Sequence, residues 1–213
     1  MNLAIIQARM DSTRLPGKVL LPILENPVLW HIYNRLKFSK KIDKICVSTS
    51  NRSIDDPIAI FSKENNIDCF RGSADDLISR HLGAANMFDG DVLIRITADD
   101  PLIDPQIIDQ LILEYEKNKK LDFVSNRKPS TFPVGLEVEV FPKRTLEKFS
   151  SNSKNNIFYE FFISNYIFEN PDMFLSKNIT LDKPETERWT LDYEEDYVFI
   201  KQIYFHLYNF GEI

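Results

Sequence analysis

The chain has 213 residues, 43% hydrophobic and 27% charged, with a formal net charge of −6; this suffices for one α/β domain with a substantial core, and argues against a second full domain and against intrinsic disorder. An acidic chain also lacks the broad basic face that general nucleic-acid binding requires, so no nucleic-acid partner is expected. Residues 1–40 hold six cations against two carboxylates, a local +4 that leaves −10 for the rest, and a small basic focus of this kind suits a compact anion.

In chain order, residues 3–7 read as a buried strand, and the pattern breaks over 8–18 at Pro16 and Gly17. A helix is predicted over 27–38, opened by Pro27, whose missing N–H costs nothing in a first turn. A strand over 44–49, a helix over 57–65, a short strand over 68–70 and a helix over 75–87 follow. The strand over 91–97 ends in Ala98-Asp99-Asp100-Pro101. A helix over 105–117 and a strand over 122–125 complete the regular alternation. Residues 136–141 alternate apolar and acidic, as a half-exposed strand does. Residues 156–168 are apolar all round, which predicts a helix in the core or at a subunit contact. A last strand over 188–192 and a closing helix over 194–208 end the chain. Strands alternating with helices predict an α/β fold, a single Rossmann-like domain with a mostly parallel mixed sheet covered on both faces.

No apolar run approaches the roughly 20 residues needed to cross a bilayer, and the N-terminus lacks a signal peptide's basic and apolar segments. A cytoplasmic protein with no membrane partner is expected. Cys46 and Cys69 form no CxxC pair and read as buried thiols. His31, His81 and His206 show no zinc-ligand spacing and read as core or helix-surface residues.

The most informative stretch is Ala8-Arg9-Met10-Asp11-Ser12-Thr13-Arg14-Leu15-Pro16-Gly17-Lys18. It follows the first strand, and ligands gather at the carboxyl ends of strands in such sheets. Arginine forks match phosphate oxygens and Lys18 acts as a mobile point charge. Pro16 and Gly17 force a turn that can aim Arg14 and Lys18 at one spot. Gly17 is the first glycine in the chain and Lys18 is followed by Val19, which excludes both the dinucleotide glycine pattern and the Walker pattern. Phosphates would therefore be held by side chains and loop amides. Asp99 ends a strand at the sheet's ligand edge, where a carboxylate suits Mg²⁺; Asp100 fits a turn role before Pro101.

Residues 5–20 resemble the N-terminal signature of the cytidylyltransferase family, which makes CMP-activated octulosonate and sialic acids, and are most similar to its spore-coat polysaccharide branch. Phe70-Arg71-Gly72-Ser73, residues 95–105, residues 135–141 and residues 190–196 carry further resemblance. The resemblance implies a fold of the nucleotide-diphospho-sugar transferase type and transfer of CMP from CTP to a sugar or sugar acid. It implies Mg²⁺ held by Asp99 and Asp192, Asp192 being otherwise readable as a helix cap. Catalytic roles fall to Arg14, Lys18 and Asp99, and nucleotide contacts to Ala8, Arg9, Ser12, Arg14, Lys18, Arg71, Gly72, Ser73 and Arg80. Glu137 and Glu139 face the acceptor or form an exposed acidic face. Residues 1–125 would be the nucleotide part and 126–190 the acceptor and dimerisation part of a homodimer. Relatives in this branch carry a Glu-His pair near residues 161–162, where this chain has Phe161 and Phe162, which implies another acceptor or a lost contact. Many relatives also continue beyond the last helix. Two alternatives stay open: a metal-dependent glycosyltransferase using a nucleotide sugar, which leaves the basic loop unexplained, and a non-catalytic nucleotide- or sugar-binding module.

Overall fold

The computed structural model describes residues 1–152 and 163–207. Phe161, Phe162 and the first part of the helix expected over 156–168 lie outside the described residues. The elements are β1 (Asn2–Gln7), the short antiparallel pair β2 (Pro22–Ile23) and β3 (Asn26–Pro27), α1 (Val28–Leu36), β4 (Lys44–Ser50), α2 (Asp56–Glu64), β5 (Asp68–Gly72) and α3 (Leu77–Met87). There follow β6 (Val92–Thr97), α4 (Pro105–Lys117), β7 (Phe123–Ser125), β8 (Glu139–Pro142), α5 (Lys143–Asn152), α6 (Ile163–Glu169), β9 (Ser176–Asn178) and α7 (Glu194–Leu207).

Seven strands form one sheet in the order β5-β4-β1-β6-β8-β7-β9. β8 runs antiparallel to both its neighbours and the other pairings are parallel. β1 shows why the sheet needs cover on both faces. Ala4 and Ile6 join the core under α1, α2, α4 and α7, while Leu3 and Ile5 join the core under α3, α5 and α6. Successive side chains of a strand point to opposite faces, so a fully apolar run demands two layers of helix.

The topology also fixes where a ligand can sit. After β1 the chain moves outward to β4 and β5, then returns to place β6 on β1's other side. Strand order therefore reverses between β1 and β6, and a crevice opens at their carboxyl ends. The register pairs Gln7 with Thr97, so the loop after β1 and the turn after β6 leave the sheet side by side.

Three expectations need correction. Residues 188–192 are not a strand: the segment makes a single bridge, Val134 to Arg188, and its other backbone bonds go to Asp99 O and to the side chains of Lys18 and Asp196. Within residues 136–141, β8 begins only at Glu139. The Asn126 side chain takes the place of the missing ladder, donating to Leu136 O and accepting from Val138 N, each at 2.8 Å. Nor is this stretch half-exposed. Glu139 is 2% exposed and Phe141 fully buried, because β8 lies inside the sheet between β6 and β7. The edge strand β9 (Ser-Lys-Asn) has no apolar periodicity to announce it.

Gly135 ties the 188–192 segment down. Its φ is 107°, and an added Cβ would stand 2.7 Å from Trp189 C and Thr190 N. Gly135→Ala should cost about 1–3 kcal/mol, read as a lower urea midpoint with unchanged slope. His81 supplies a pH test. It is fully buried on α3, and burial holds its pKa down at about 3, against an ordinary 6.5. The unfolded chain thus binds the proton first, so the fold loses stability as pH falls through the window from 6.5 towards 3. The loss approaches about 1.4 kcal/mol per pH unit. Urea titrations at pH 7 and 5 should show a larger loss in the wild type than in His81→Leu, which keeps the contribution of the buried His31, its pKa also lowered by burial.

Candidate active site

The loop after β1 is pinned at both ends. Ala8 N donates to Ser48 O at 3.0 Å, and Met10 N donates to the buried Asp55 Oδ1 at 2.7 Å. Asp55 is held in turn by the Ser50 hydroxyl. Gly17 N closes the loop onto Met10 O at 3.0 Å. Gly17 has φ 70°, a left-handed conformation that a glycine adopts without strain. The chain reverses there into one 3₁₀ turn, Lys18–Leu20, and carries the Lys18 side chain inward.

Lys18 Nζ donates to Asp99 Oδ2 at 2.7 Å, to Leu191 O at 2.8 Å and to Asp192 Oδ1 at 2.9 Å. An ammonium has three donors, and all three are used. Arg14 Nη2 reaches the same Asp192 Oδ1 at 2.6 Å, and Arg188 Nη2 holds its Oδ2 at 3.0 Å. The two aspartates, 93 positions apart in sequence, meet because Asp99 O accepts from Leu191 N at 2.7 Å and from the Thr190 hydroxyl at 3.2 Å. Burial raises the Asp192 pKa, but hydrogen bonds from Lys18 and Arg188 outweigh it and hold the pKa below its ordinary value. Asp192 is therefore ionised. It does not cap α7: Asp196, in the first turn, reaches back to the N–H groups of Asp192 and Tyr193 at 2.8 and 2.9 Å. That capping geometry leaves the Asp192 carboxylate to the site. Asp100 behaves as a turn residue, buried and bonded to the Thr97 hydroxyl. Burial, then the charge of Asp99, pushes its pKa well up.

Two adjoining cavities flank this cluster. One, of about 230 Å³, is lined on the loop side by Arg9, Ser12, Arg14, Lys18 and Asp99. The other, of about 250 Å³, is lined by Arg95, Arg127, Glu137, Arg188, Thr190 and Asp192, among others. Glu137 accepts from Gly135 N at 2.7 Å. Glu139 is committed to two cations, Arg95 at 3.0 Å and Arg127 at 3.3 Å. Arg95 also donates to Gln7 at 3.0 Å.

The second group of candidates stands apart from these cavities. Arg71 clamps the loop after β4 through Ser50 O at 3.0 Å, Arg52 O at 2.9 Å and Asp56 at 2.7 Å. Arg80 is buried and donates to Ser73 O at 2.5 Å. Gly72 lies against Phe70 and Arg80, where a Cβ would come within 2.8 Å. The Ser73 hydroxyl accepts the N–H groups of Asp75 and Asp76 at 3.2 and 3.0 Å. Sequence reading missed Arg95, Arg127 and Arg188. Arg95 carried a signal, a single charge inside the apolar run Val-Leu-Ile-Arg-Ile-Thr; the other two carried none.

The donor set fits a magnesium-like cation. Asp99 Oδ2, Leu191 O and Asp192 Oδ1 are hard oxygens already gathered around one positive charge, that of Lys18. Among the described residues no cluster of three or more His, Cys, Asp or Glu forms a closed cage. One or two carboxylates, with phosphate and water completing the shell, is the usual protein contribution to Mg²⁺. No helix among the described residues is long and apolar enough to cross a membrane.

The sequence model of the cytidylyltransferase family matches residues 3–208. A cytidylyltransferase structure from Leptospira borgpetersenii superposes with a TM-score of 0.91 at 36% identity, covering 97% of this chain and 87% of that one. The spore coat polysaccharide biosynthesis protein SpsF of Bacillus subtilis is 30% identical over 212 residues, 95% of this chain and 85% of that protein. The 8-amino-3,8-dideoxy-manno-octulosonate cytidylyltransferase of Shewanella frigidimarina is 33% identical over 147 residues, 67% of this chain and 55% of that enzyme.

The buried carboxylate yields a stability prediction. Glu139→Ala strands the 5%-exposed Arg95, and should cost about 3–5 kcal/mol. Glu137→Ala, losing one bond at a partly exposed position, should cost about 1 kcal/mol. Urea unfolding of the two variants should separate them clearly.

Proposed function

The chain belongs to the cytidylyltransferase family, and from that premise we propose that it transfers CMP from CTP to a sugar or sugar acid for surface polysaccharide or glycan synthesis. The observation that carries this reading is the meeting of Arg14, Lys18, Asp99 and Asp192 at the point where strand order reverses. The names of two relatives, a spore coat polysaccharide protein and a sugar-acid cytidylyltransferase, support the product class.

In the proposed reaction an acceptor hydroxyl oxygen bonds to the α-phosphorus and gives up its proton to solvent, while the bond from that phosphorus to the oxygen bridging the β-phosphate breaks and pyrophosphate leaves with that oxygen and its electron pair. Positioning and charge neutralisation supply most of the rate in such transfers. The triphosphate would lie in the loop-side cavity, where Arg9, Arg14 and Lys18 neutralise the leaving pyrophosphate and Ala8 and Ser12 contribute loop contacts. Drawn to the phosphates, Lys18 and Arg14 would release the aspartate oxygens they now occupy. Asp99 and Asp192 would then hold Mg²⁺, which supplies charge neutralisation at the phosphoryl oxygens.

Arg71, Gly72, Ser73 and Arg80 would shape the base side. Glu137 would face the acceptor in the second cavity, with Glu139 acting through Arg95 and Arg127. On this reading residues 1–125 form the nucleotide part and 126–190 the acceptor part. The proposal extends to a homodimer working in the cytoplasm.

Pyrophosphate release measured with each of the four nucleoside triphosphates and a panel of sugars and sugar acids tests the reading. Release with CTP alone is expected; turnover only with a nucleotide sugar would replace it by glycosyl transfer. Binding without turnover would leave a binding module. Asp99→Asn should lower the rate about a hundredfold or more, with a thermal midpoint close to wild type because Asp99 is partly exposed.

A further inference from the structure

The two oxygens of Asp192 have different kinds of partner. Oδ1 accepts from Arg14 at 2.6 Å and Lys18 at 2.9 Å, both cations of the loop after β1. Oδ2 accepts from Arg188 Nη2 at 3.0 Å. Arg188 lies outside that loop, four residues before Asp192, and is itself gripped. Its fork spans Asp196, with Nη2 to Oδ2 at 3.0 Å and Nε to Oδ1 at 3.3 Å. The same Asp196 Oδ2 takes the backbone N–H of Asp192 at 2.8 Å. Arg188, Asp196 and the Asp192 backbone thus close a ring of bonds at the start of α7. The Tyr193 ring backs this arrangement, lying 5.8 Å from the Arg188 guanidinium carbon and 5.3 Å from that of Arg14.

The asymmetry matters for chemistry. A triphosphate offers Arg14 and Lys18 better acceptors than one carboxylate oxygen, so the Oδ1 partners are exchangeable. Arg188's carboxylate partners both sit on the scaffold it helps to form, so the Oδ2 bond stays when the loop cations turn away. A carboxylate anchored by one oxygen presents the other in a fixed direction. Without the anchor it rotates about its terminal torsion, which is broad.

Resting on the proposed cytidylyl transfer, we propose that Arg188 is a positioning residue that holds Asp192 by Oδ2 and so presents Oδ1, beside Asp99, to the divalent cation. Partners that orient a metal-binding carboxylate typically change metal affinity by 10–100-fold when removed. Lysine at this position keeps a charge but gathers its donors on one nitrogen, and so loses the planar fork that spans Asp196.

The test is Mn²⁺ binding to the full chain in the presence of CTP and without acceptor, read from the free-Mn²⁺ electron paramagnetic resonance signal. Wild type, Arg188→Gln and Arg188→Lys are compared, with CTP affinity measured separately in a chelator and folding followed by thermal unfolding. Arg188→Gln should weaken Mn²⁺ binding about tenfold or more, with Arg188→Lys in between and metal-free CTP affinity unchanged in both. Wild-type Mn²⁺ affinity in Arg188→Gln overturns the inference, as does a matching loss of metal-free CTP affinity, which marks a merely structural role. If Arg188→Gln does not fold, Arg188→Lys decides: weaker Mn²⁺ binding supports the inference and unchanged binding overturns it. Absence of Mn²⁺ binding by the wild type with CTP would sink the parent reading, an outcome distinct from failure of the variants alone.

Discussion

Two carboxylates from distant parts of the chain share one ammonium ion. Lys18 Nζ lies 2.7 Å from Asp99 and 2.9 Å from Asp192, and the rest of the site is arranged around that charge. Carboxylates brought together in a partly buried place repel each other and resist ionisation. Asp192 shows which effect wins: burial pushes its pKa up, yet Lys18 and the two arginines bring it below the ordinary value. Asp100 shows the opposite outcome one residue from Asp99. It has threonine hydroxyl partners and, among the described residues, no cation at hydrogen-bond distance, and its pKa rises well above the ordinary value.

The sheet makes this meeting possible. Reversal of strand order between β1 and β6 brings the loop that carries Lys18 beside the turn that carries Asp99. The 188–192 segment then arrives along the same edge, fixed by Leu191 N to Asp99 O at 2.7 Å and by Trp189 N to Val134 O at 2.6 Å. Regular strand pairing would have spent those backbone groups on a ladder. As an irregular extended segment it can aim Arg188 and Asp192 into the cavity while burying Leu191. The contrast with β8 is instructive. There the ladder is regular, and the acidic residue it carries, Glu139, is locked between arginines.

What the sequence made legible was local. The alternation of apolar strands and helices, the basic loop and the strand ending at Asp99 all lie within short windows, where periodicity and turn chemistry speak directly. Long-range pairing was not legible. The acidic and apolar alternation of residues 136–141 matched a half-exposed strand equally well. Only the position of β8 inside the sheet buries Glu139. Residues 188–192 have strand-like composition, but their partners, Val134 and Asp99, lie in loops distant in sequence that no local pattern reveals. Arg71 and Arg80, grouped with the nucleotide contacts by resemblance, hold backbone carbonyls of the loop after β4 and of the loop before α3.

The central claim is that the aspartate pair and the basic loop form one site, with the cation of Lys18 standing where a divalent ion and a triphosphate would meet. Anomalous diffraction from a crystal grown with CTP and Mn²⁺ tests this most directly. The account predicts a manganese peak shared by Asp99 and Asp192, with Lys18 and Arg14 turned onto the phosphates. A manganese peak elsewhere, or phosphates bound away from the loop after β1 while Lys18 keeps both aspartates, would contradict it.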